Sequence, residues 1–200
     1  MSDGINKGRR NFLIGATSVV GTAGVVGVAV PFVASWNPSA KALAAGAPIK
    51  VDIGKLQEGD MLGPIPAWRS QPIFIVNRTK EMLDDMNKKD ELERLLDPHS
   101  EQPQQPSYAQ NDTRSIKPAV LVMIGICTHL GCSPLFVPGV QPEPYDTNWI
   151  GGFYCPCHGS KYDLAGRVYK DQPAPLNMVI PPYYYESDNV VVVGKNKGDA

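Results

Sequence analysis

All four cysteines and two of the three histidines of this 200-residue chain fall between Cys127 and His158. They lie in two boxes, Cys127-Thr128-His129-Leu130-Gly131-Cys132 and Cys155-Pro156-Cys157-His158-Gly159-Ser160. One box offers Cys-x-His and the other Cys-x-x-His, so together they bring two thiolates and two imidazoles to one metal centre. Structural zinc takes four ligands in clamps of this kind and would accept Cys127, His129, Cys155 and His158. A four-thiolate cluster would use every cysteine, but Cys155 and Cys157 are poorly spaced for it and both histidines would be idle. A two-iron cluster with two Cys on one iron and two His on the other uses the boxes as they stand. The bland alternative is a pair of loops tied by disulfides with incidental histidines. Cys132 and Cys157 are left over from the clamps. In an exported domain, two spare thiols on loops that meet around one centre are expected to oxidise to a disulfide. Gly131 and Gly159 permit the tight backbone approach that amide hydrogen bonds to sulfide require.

The first box follows the buried-looking strand Val120 to Ile126, and the second follows the strand-like Gly152-Phe153-Tyr154, so each is a loop on a strand end. Further strands are expected at Ile49 to Ile53, Ile73 to Val76, Met178 to Ile180, Tyr183 to Tyr185 and Val190 to Val193, the last two forming a hairpin across Glu186 to Asn189. Thr79 is placed to cap one helix with Met82, Leu83, Met86, Leu92, Leu95 and Leu96 on a core-facing side, stopped by Asp97-Pro98. His99 to Lys117, rich in Gln, Pro and Ser, reads as a solvated loop with His99 at the surface. Apart from the two boxes there is no internal repeat.

With 19 Lys+Arg against 20 Asp+Glu the chain has no basic footprint, which excludes bulk attraction to nucleic acid. A mean hydropathy of −0.20 leaves room for one membrane span at most. Phe12 to Ser35 supplies it: 24 uncharged residues, about 36 Å as a helix against a hydrocarbon core of roughly 30 Å. Up to residue 10 there are three Lys and Arg against Asp3, and beyond it 16 Lys+Arg against 19 Asp+Glu. The positive-inside rule therefore puts the N-terminus in the cytoplasm and the rest across the membrane. Arg9-Arg10-Asn11-Phe12-Leu13 resembles a twin-arginine export signal, which carries proteins out already folded. A retained anchor is expected, the alternative being cleavage at Ala42-Leu43-Ala44. Gly21, Gly24 and Gly27 leave one helix face open to close packing, or simply lower hydrophobicity for export. Trp36 suits the membrane interface, and Asn37 to Ala47 reads as a tether that changes between helix and coil.

The two boxes resemble those of the Rieske iron-sulfur proteins. The extra Cys132 and Cys157 set them apart from the boxes of oxygenases and small ferredoxins. Trp68 to Thr79, followed by the helix and Leu95-Leu96-Asp97-Pro98, is similar to the respiratory quinol-cytochrome c reductase subunits more than to the photosynthetic ones. The resemblance implies an all-β Rieske domain, with antiparallel sheets, one inserted helix and a cluster-binding subdomain, behind one N-terminal transmembrane helix. It divides the chain into a signal and anchor (1–36), a flexible hinge (37–48) and an exported domain (49–200) whose cluster-binding part is about 120–180. It implies one 2Fe-2S cluster with Cys127 and Cys155 on the inner iron, His129 and His158 on the outer iron, and a Cys132–Cys157 disulfide. Ser160 and Tyr162 match hydroxyls that donate to cluster sulfurs, which places the potential in the upper part of the Rieske range.

By the same resemblance His158 hydrogen-bonds ubiquinol, and His129 and His158 couple electron uptake to proton uptake. The tip around Leu130 docks on cytochrome b, or Leu130 simply shields the cluster. Pro173-Ala174-Pro175-Leu176 is similar to the family's proline loop, although Gln172 stands where a glycine is usual and the Ser133 to Tyr154 connection is long and Pro-rich. The implied partners are cytochrome b, cytochrome c and ubiquinol in a dimeric bacterial inner-membrane complex, with the domain periplasmic and the isolated chain inactive. A free exported electron-transfer protein would share the boxes but lose the anchor.

Overall fold

An N-terminal helix and a sheet domain make up two units, one through Ala44 and one from Ala45. The computed structural model describes residues 4, 6–62 and 67–198; Asp3, counted in the flanking charge above, lies outside them. In the first unit the Asn6 side chain accepts the Arg9 amide at 3.1 Å and starts α1, Lys7–Ala34. At 1.5 Å per residue its 28 residues extend about 42 Å, long enough and apolar enough to cross a membrane. None of α1 is buried within the chain. Thr17 turns its hydroxyl back onto the Leu13 carbonyl at 2.7 Å, hiding a polar group within an apolar helix. Ser39 then accepts the Ala42 amide at 3.2 Å and starts a short helix, α2, Ala40–Ala45.

Among its described residues the second unit holds nine short strands in chain order: β1 Ile49–Asp52, β2 Met61–Leu62, β3 Ile73–Asn77, β4 Val120–Ile124, β5 Leu135–Val137, β6 Gly152–Tyr154, β7 Lys161–Tyr162, β8 Tyr183–Ser187 and β9 Val190–Val193. They form three antiparallel sheets, β1-β9-β8, β2-β3-β4 and β5-β6-β7. The expected hairpin is β8–β9, with its turn narrowed to Asp188-Asn189 and an irregularity between Tyr185 and Ser187. In β3 the run Ile73 to Val76 is buried on both faces, which is why it lacks polar alternation. Phe74 of β3 stacks on Phe153 of β6 with ring centroids 6.2 Å apart, tying the β2-β3-β4 sheet to the β5-β6-β7 sheet. Gly152 makes that third sheet possible. A Cβ there would sit 2.1 Å from the Tyr162 carbonyl oxygen, and its φ of +150° also disfavours a side chain.

Three expectations are corrected. Met178 to Ile180 is not a strand, because its backbone bonds go to separate partners: the Met178 amide donates to Gly166, the Val179 carbonyl accepts from Ile124 and the Ile180 amide donates to Gln104. The single helix is two, α3 Lys80–Asp85 and α4 Lys89–Arg94. Met86 packs with Leu164 and Ala165 while Leu95 packs with Trp149 and Tyr169, so one straight stripe does not serve both clusters. The break is held by buried Arg167, which donates to the Met86 carbonyl at 2.8 Å while paired with Asp163. The loop after His99 is also not solvated throughout. His99 is exposed, but Ser100, Ala109, Arg114 and Ser115 are buried.

Arg114 donates to the Ala165 and Gly166 carbonyls at 3.0 and 3.3 Å, and Arg78 to the Leu164 carbonyl at 3.2 Å. With Arg167 they clamp the turn that leaves β7. Burial lowers the pKa of Arg78 and of Arg114 to about 10, so both stay charged at neutral pH.

Candidate metal centre

The boxes fold to the same turn. In the first, the Cys127 amide donates to the Cys132 carbonyl at 2.8 Å and the Gly131 amide to the Cys127 carbonyl at 3.1 Å. In the second, Cys155 donates to Ser160 at 2.8 Å and Gly159 to Cys155 at 2.9 Å. Gly131 and Gly159 both take positive φ, +86° and +79°, with open space where a Cβ would lie, so backbone conformation rather than crowding requires glycine. In this alignment Cys127 matches Cys155, His129 matches Cys157, and Cys132 matches Ser160. The different spacings of the two clamps are two decorations of one turn.

The second box is the loop of the β6–β7 hairpin, closed by the register pair Tyr154 and Lys161, while the first lies between β4 and β5. Cys127 and Cys155 are reduced and buried. Cys132 and Cys157 form the expected disulfide. The His129 and His158 rings meet edge to face with centroids 4.7 Å apart. His158 is exposed, whereas Nδ1 of His129 is buried without a hydrogen-bond partner among the described residues. Leu130, at the tip, is 72% exposed.

These donors fit a metal cluster. Burial pushes the Cys155 thiol up; the Cys157 and His158 amides that donate to its sulfur pull it down, and the neighbouring Cys127 sulfur pushes it up again. Two adjacent buried sulfurs ionise together only with a cation beside them, and a buried imidazole nitrogen without a partner needs a ligand. One centre meets both needs. The sulfurs of Cys132, Cys155 and Cys157 also lie within 4.8 Å of one another, but two of these three are spent in the disulfide.

A hydroxyl network covers the boxes. Tyr162 donates to the Cys127 sulfur at 3.2 Å and accepts the Thr128 amide at 3.0 Å; burial pushes its phenol up, so it remains protonated. Ser160 accepts the Ala174 amide at 3.1 Å, and Thr128 donates to the Leu176 carbonyl at 2.7 Å. The segment from exposed Pro173 to Leu176 is thus pinned to both boxes. The left-handed residue before it is Asp171, at φ +56°, so Gln172 is accommodated without glycine's freedom. Sequence reasoning missed Thr128, because an x position between two ligands carries no spacing signal.

A disulfide-locked pair of Cys-His turns on an antiparallel sheet, with an apolar helix ahead of it, defines an iron-sulfur protein of the Rieske class. The Rieske [2Fe-2S] domain family matches residues 108–183, and the family described as Ubiquitinol-cytochrome C reductase Fe-S subunit TAT signal matches residues 1–39. The ubiquinol-cytochrome c reductase iron-sulfur subunit of Allochromatium vinosum is 52% identical over 199 residues, covering 100% of this chain and 94% of that one. Its counterpart in Blastochloris viridis is 41% identical over 196 residues, 96% of each chain. The mitochondrial cytochrome b-c1 complex subunit Rieske of Candida albicans is 37% identical over 192 residues, 94% of this chain and 78% of that one. The chain belongs to the family of ubiquinol-cytochrome c reductase iron-sulfur subunits, redox subunits that carry a Rieske 2Fe-2S cluster.

Proposed function

We propose that Cys127 and Cys155 hold one iron and His129 and His158 the other, and that the chain takes an electron and a proton from ubiquinol at cytochrome b and passes the electron to a cytochrome c haem. The observation that carries this reading is the asymmetry of the site: both candidate thiolates are buried, the His129 Nδ1 is buried and unpartnered, and the His158 ring is open to solvent. When bound, the cluster supplies one-electron chemistry, at a potential raised by its two neutral imidazole ligands into a range of about −150 to +300 mV.

The chain's own residues supply the rest. An exposed His158 ring hydrogen-bonds a quinol oxygen and receives its proton, for release on the outer side. Leu130 presents an apolar tip for cytochrome b. Donation from Tyr162 to the Cys127 sulfur favours the reduced state and the upper part of the range, and the Ser160 hydroxyl acts in the same sense. Pro173 to Leu176, tied to both boxes, keeps water from the buried sulfurs. Residues 1–36 act as signal and anchor, 37–48 as the hinge on which the head swings, and 49–200 as a periplasmic domain. The excess of Lys and Arg before α1 supports that orientation in a bacterial inner membrane. The protein works in a dimeric complex with cytochrome b and cytochrome c subunits, and the isolated chain does not turn over quinol.

Low-temperature EPR on membranes containing the full chain, with iron and zinc analysis, tests this. Ascorbate alone should develop a rhombic Rieske signal. A signal that needs dithionite would move the protein to the low-potential class, and zinc without iron would sink the redox reading.

A further inference from the structure

The long, Pro-rich connection between the boxes makes contacts that the proposed electron transfer does not use. Tyr145 stacks on Tyr154 with centroids 3.9 Å apart and planes 6° from parallel. The next residue, Asp146, accepts from Lys161 Nζ at 2.9 Å, and the Tyr145 carbonyl accepts from the same ammonium at 3.3 Å. Tyr154 and Lys161 are the register pair that closes the hairpin carrying the second box. Two consecutive residues therefore hold both feet of that loop, and Tyr154 is one peptide bond from Cys155.

The grip is itself anchored. The Asp146 carboxylate is only 6% exposed; it is ion-paired with Arg94 of α4, and its Oδ1 accepts the Asn148 amide at 3.0 Å. Arg94 also donates to the Asn148 carbonyl at 2.9 Å. Buried Trp149 donates to the Val137 carbonyl of β5 at 3.1 Å. A charge-assisted bond in so dry a place is stronger and better directed than a surface pair.

We infer that Tyr145 and Asp146 are positioning residues of the centre, gripping Tyr154 and Lys161 so that Cys155 and His158 are presented in one fixed geometry. This rests on the ligand assignment proposed above. Among the described residues neither has a hydrogen bond, ion pair or ring contact with the proposed ligands, so the effect passes through the closing pair of the hairpin. Precise ligand presentation by such outer contacts is what sets the electronic properties and lifetime of a metal centre.

The test uses the full chain in its membrane complex, with Asp146→Ala, Asp146→Asn, Asp146→Glu, Tyr145→Leu and Tyr145→Phe. The readouts are the g-values and linewidth of the ascorbate-reduced signal, the midpoint potential, and the rate at which the signal bleaches in air. Asp146→Ala and Tyr145→Leu should broaden and shift the signal, alter the potential and speed bleaching, by about tenfold for Asp146→Ala, the scale of a lost charge-assisted bond, and by roughly two- to tenfold for Tyr145→Leu, the scale of a lost ring stack. Asp146→Glu and Tyr145→Phe should restore wild-type behaviour. If Asp146→Ala fails to accumulate, Asp146→Asn and Tyr145→Leu carry the same measurements. Wild-type g-values, potential and bleaching in these variants, even with a lower melting temperature, overturn the inference. A wild-type protein that gives no rhombic signal with either ascorbate or dithionite overturns the ligand assignment instead.

Discussion

The two boxes share a backbone turn and differ in what holds them. The first is secured at its x position: Thr128 gives its amide to Tyr162 and its hydroxyl to Leu176. The second is secured at its ends, by Ser160 against Ala174 and by the pair Tyr154 and Lys161 against Tyr145 and Asp146. The disulfide then makes them one body. A turn repeated at the same length is therefore no guide to its support, which comes from segments far away in the chain.

The largest effect expected removes the comparison altogether. Cys127→Ser and Cys155→Ser should each abolish the rhombic EPR signal and the bound iron, since these two buried thiols are the pair proposed to hold one iron. A residual signal in one variant only would show that the boxes contribute unequally.

Next comes the link between them. Cys132 and Cys157 are 25 residues apart, and closing a loop of that size in the unfolded chain contributes about 3 kcal/mol. Cys132→Ser with Cys157→Ser should lower the melting temperature by about 6 to 12 °C for a domain of this size. It should also loosen both boxes, read as faster loss of iron to a chelator. Equal chelator rates with and without the disulfide would mean that the sheet alone holds the boxes together.

The boxes themselves were legible because metal ligation demands particular side chains at short, fixed spacing, and the β8–β9 hairpin because a run of tyrosines and a run of valines, both strand-favouring, flank a polar turn. What was not legible depends on distant residues. The break between α3 and α4 is held by Arg167, which reaches the Met86 carbonyl from 81 positions away. Met178 to Ile180 reads as a strand by apolarity, yet each of its backbone bonds goes to a different segment. The boxes were legible as a repeat, but the register between them was not, since Cys-x-His and Cys-x-x-His look unlike until the carbonyl of Cys132 is seen to match that of Ser160.

Substitutions of single hydroxyls sharpen the comparison. Tyr162→Phe removes the donor to the Cys127 sulfur and the acceptor of the Thr128 amide, while Ser160→Ala leaves the buried Ala174 amide without its acceptor. Each should lower the midpoint potential and cost about 1–3 kcal/mol of stability, the penalty for an unpaired buried group. Thr128→Val should cost about 1 kcal/mol and leave the potential nearer wild type, because the hydroxyl it removes meets the Leu176 carbonyl and, at 3.2 Å, the Tyr162 hydroxyl, but no sulfur. A potential drop for Thr128→Val as large as for Tyr162→Phe would show that loop order, and not donation to sulfur, controls the centre.

The smallest effect concerns pH and belongs to the second box alone. Burial by itself would raise the Asp146 carboxyl, but the Lys161 hydrogen bond, the Asn148 amide and Arg94 outweigh it and leave the group below the ordinary carboxylate range. A folded-state pKa below the unfolded one contributes stability above the unfolded value, about 3.9, and that contribution is lost as pH falls through the folded value. Asp146→Asn has no such contribution at any pH. Melting temperatures of the two proteins should therefore differ most near pH 6 and converge toward pH 3, with Asp146→Glu following the wild type. A gap that stays constant over this range would mean that Asp146 acts by shape alone, and that the second box owes its support to the stacking of Tyr145 on Tyr154 rather than to charge.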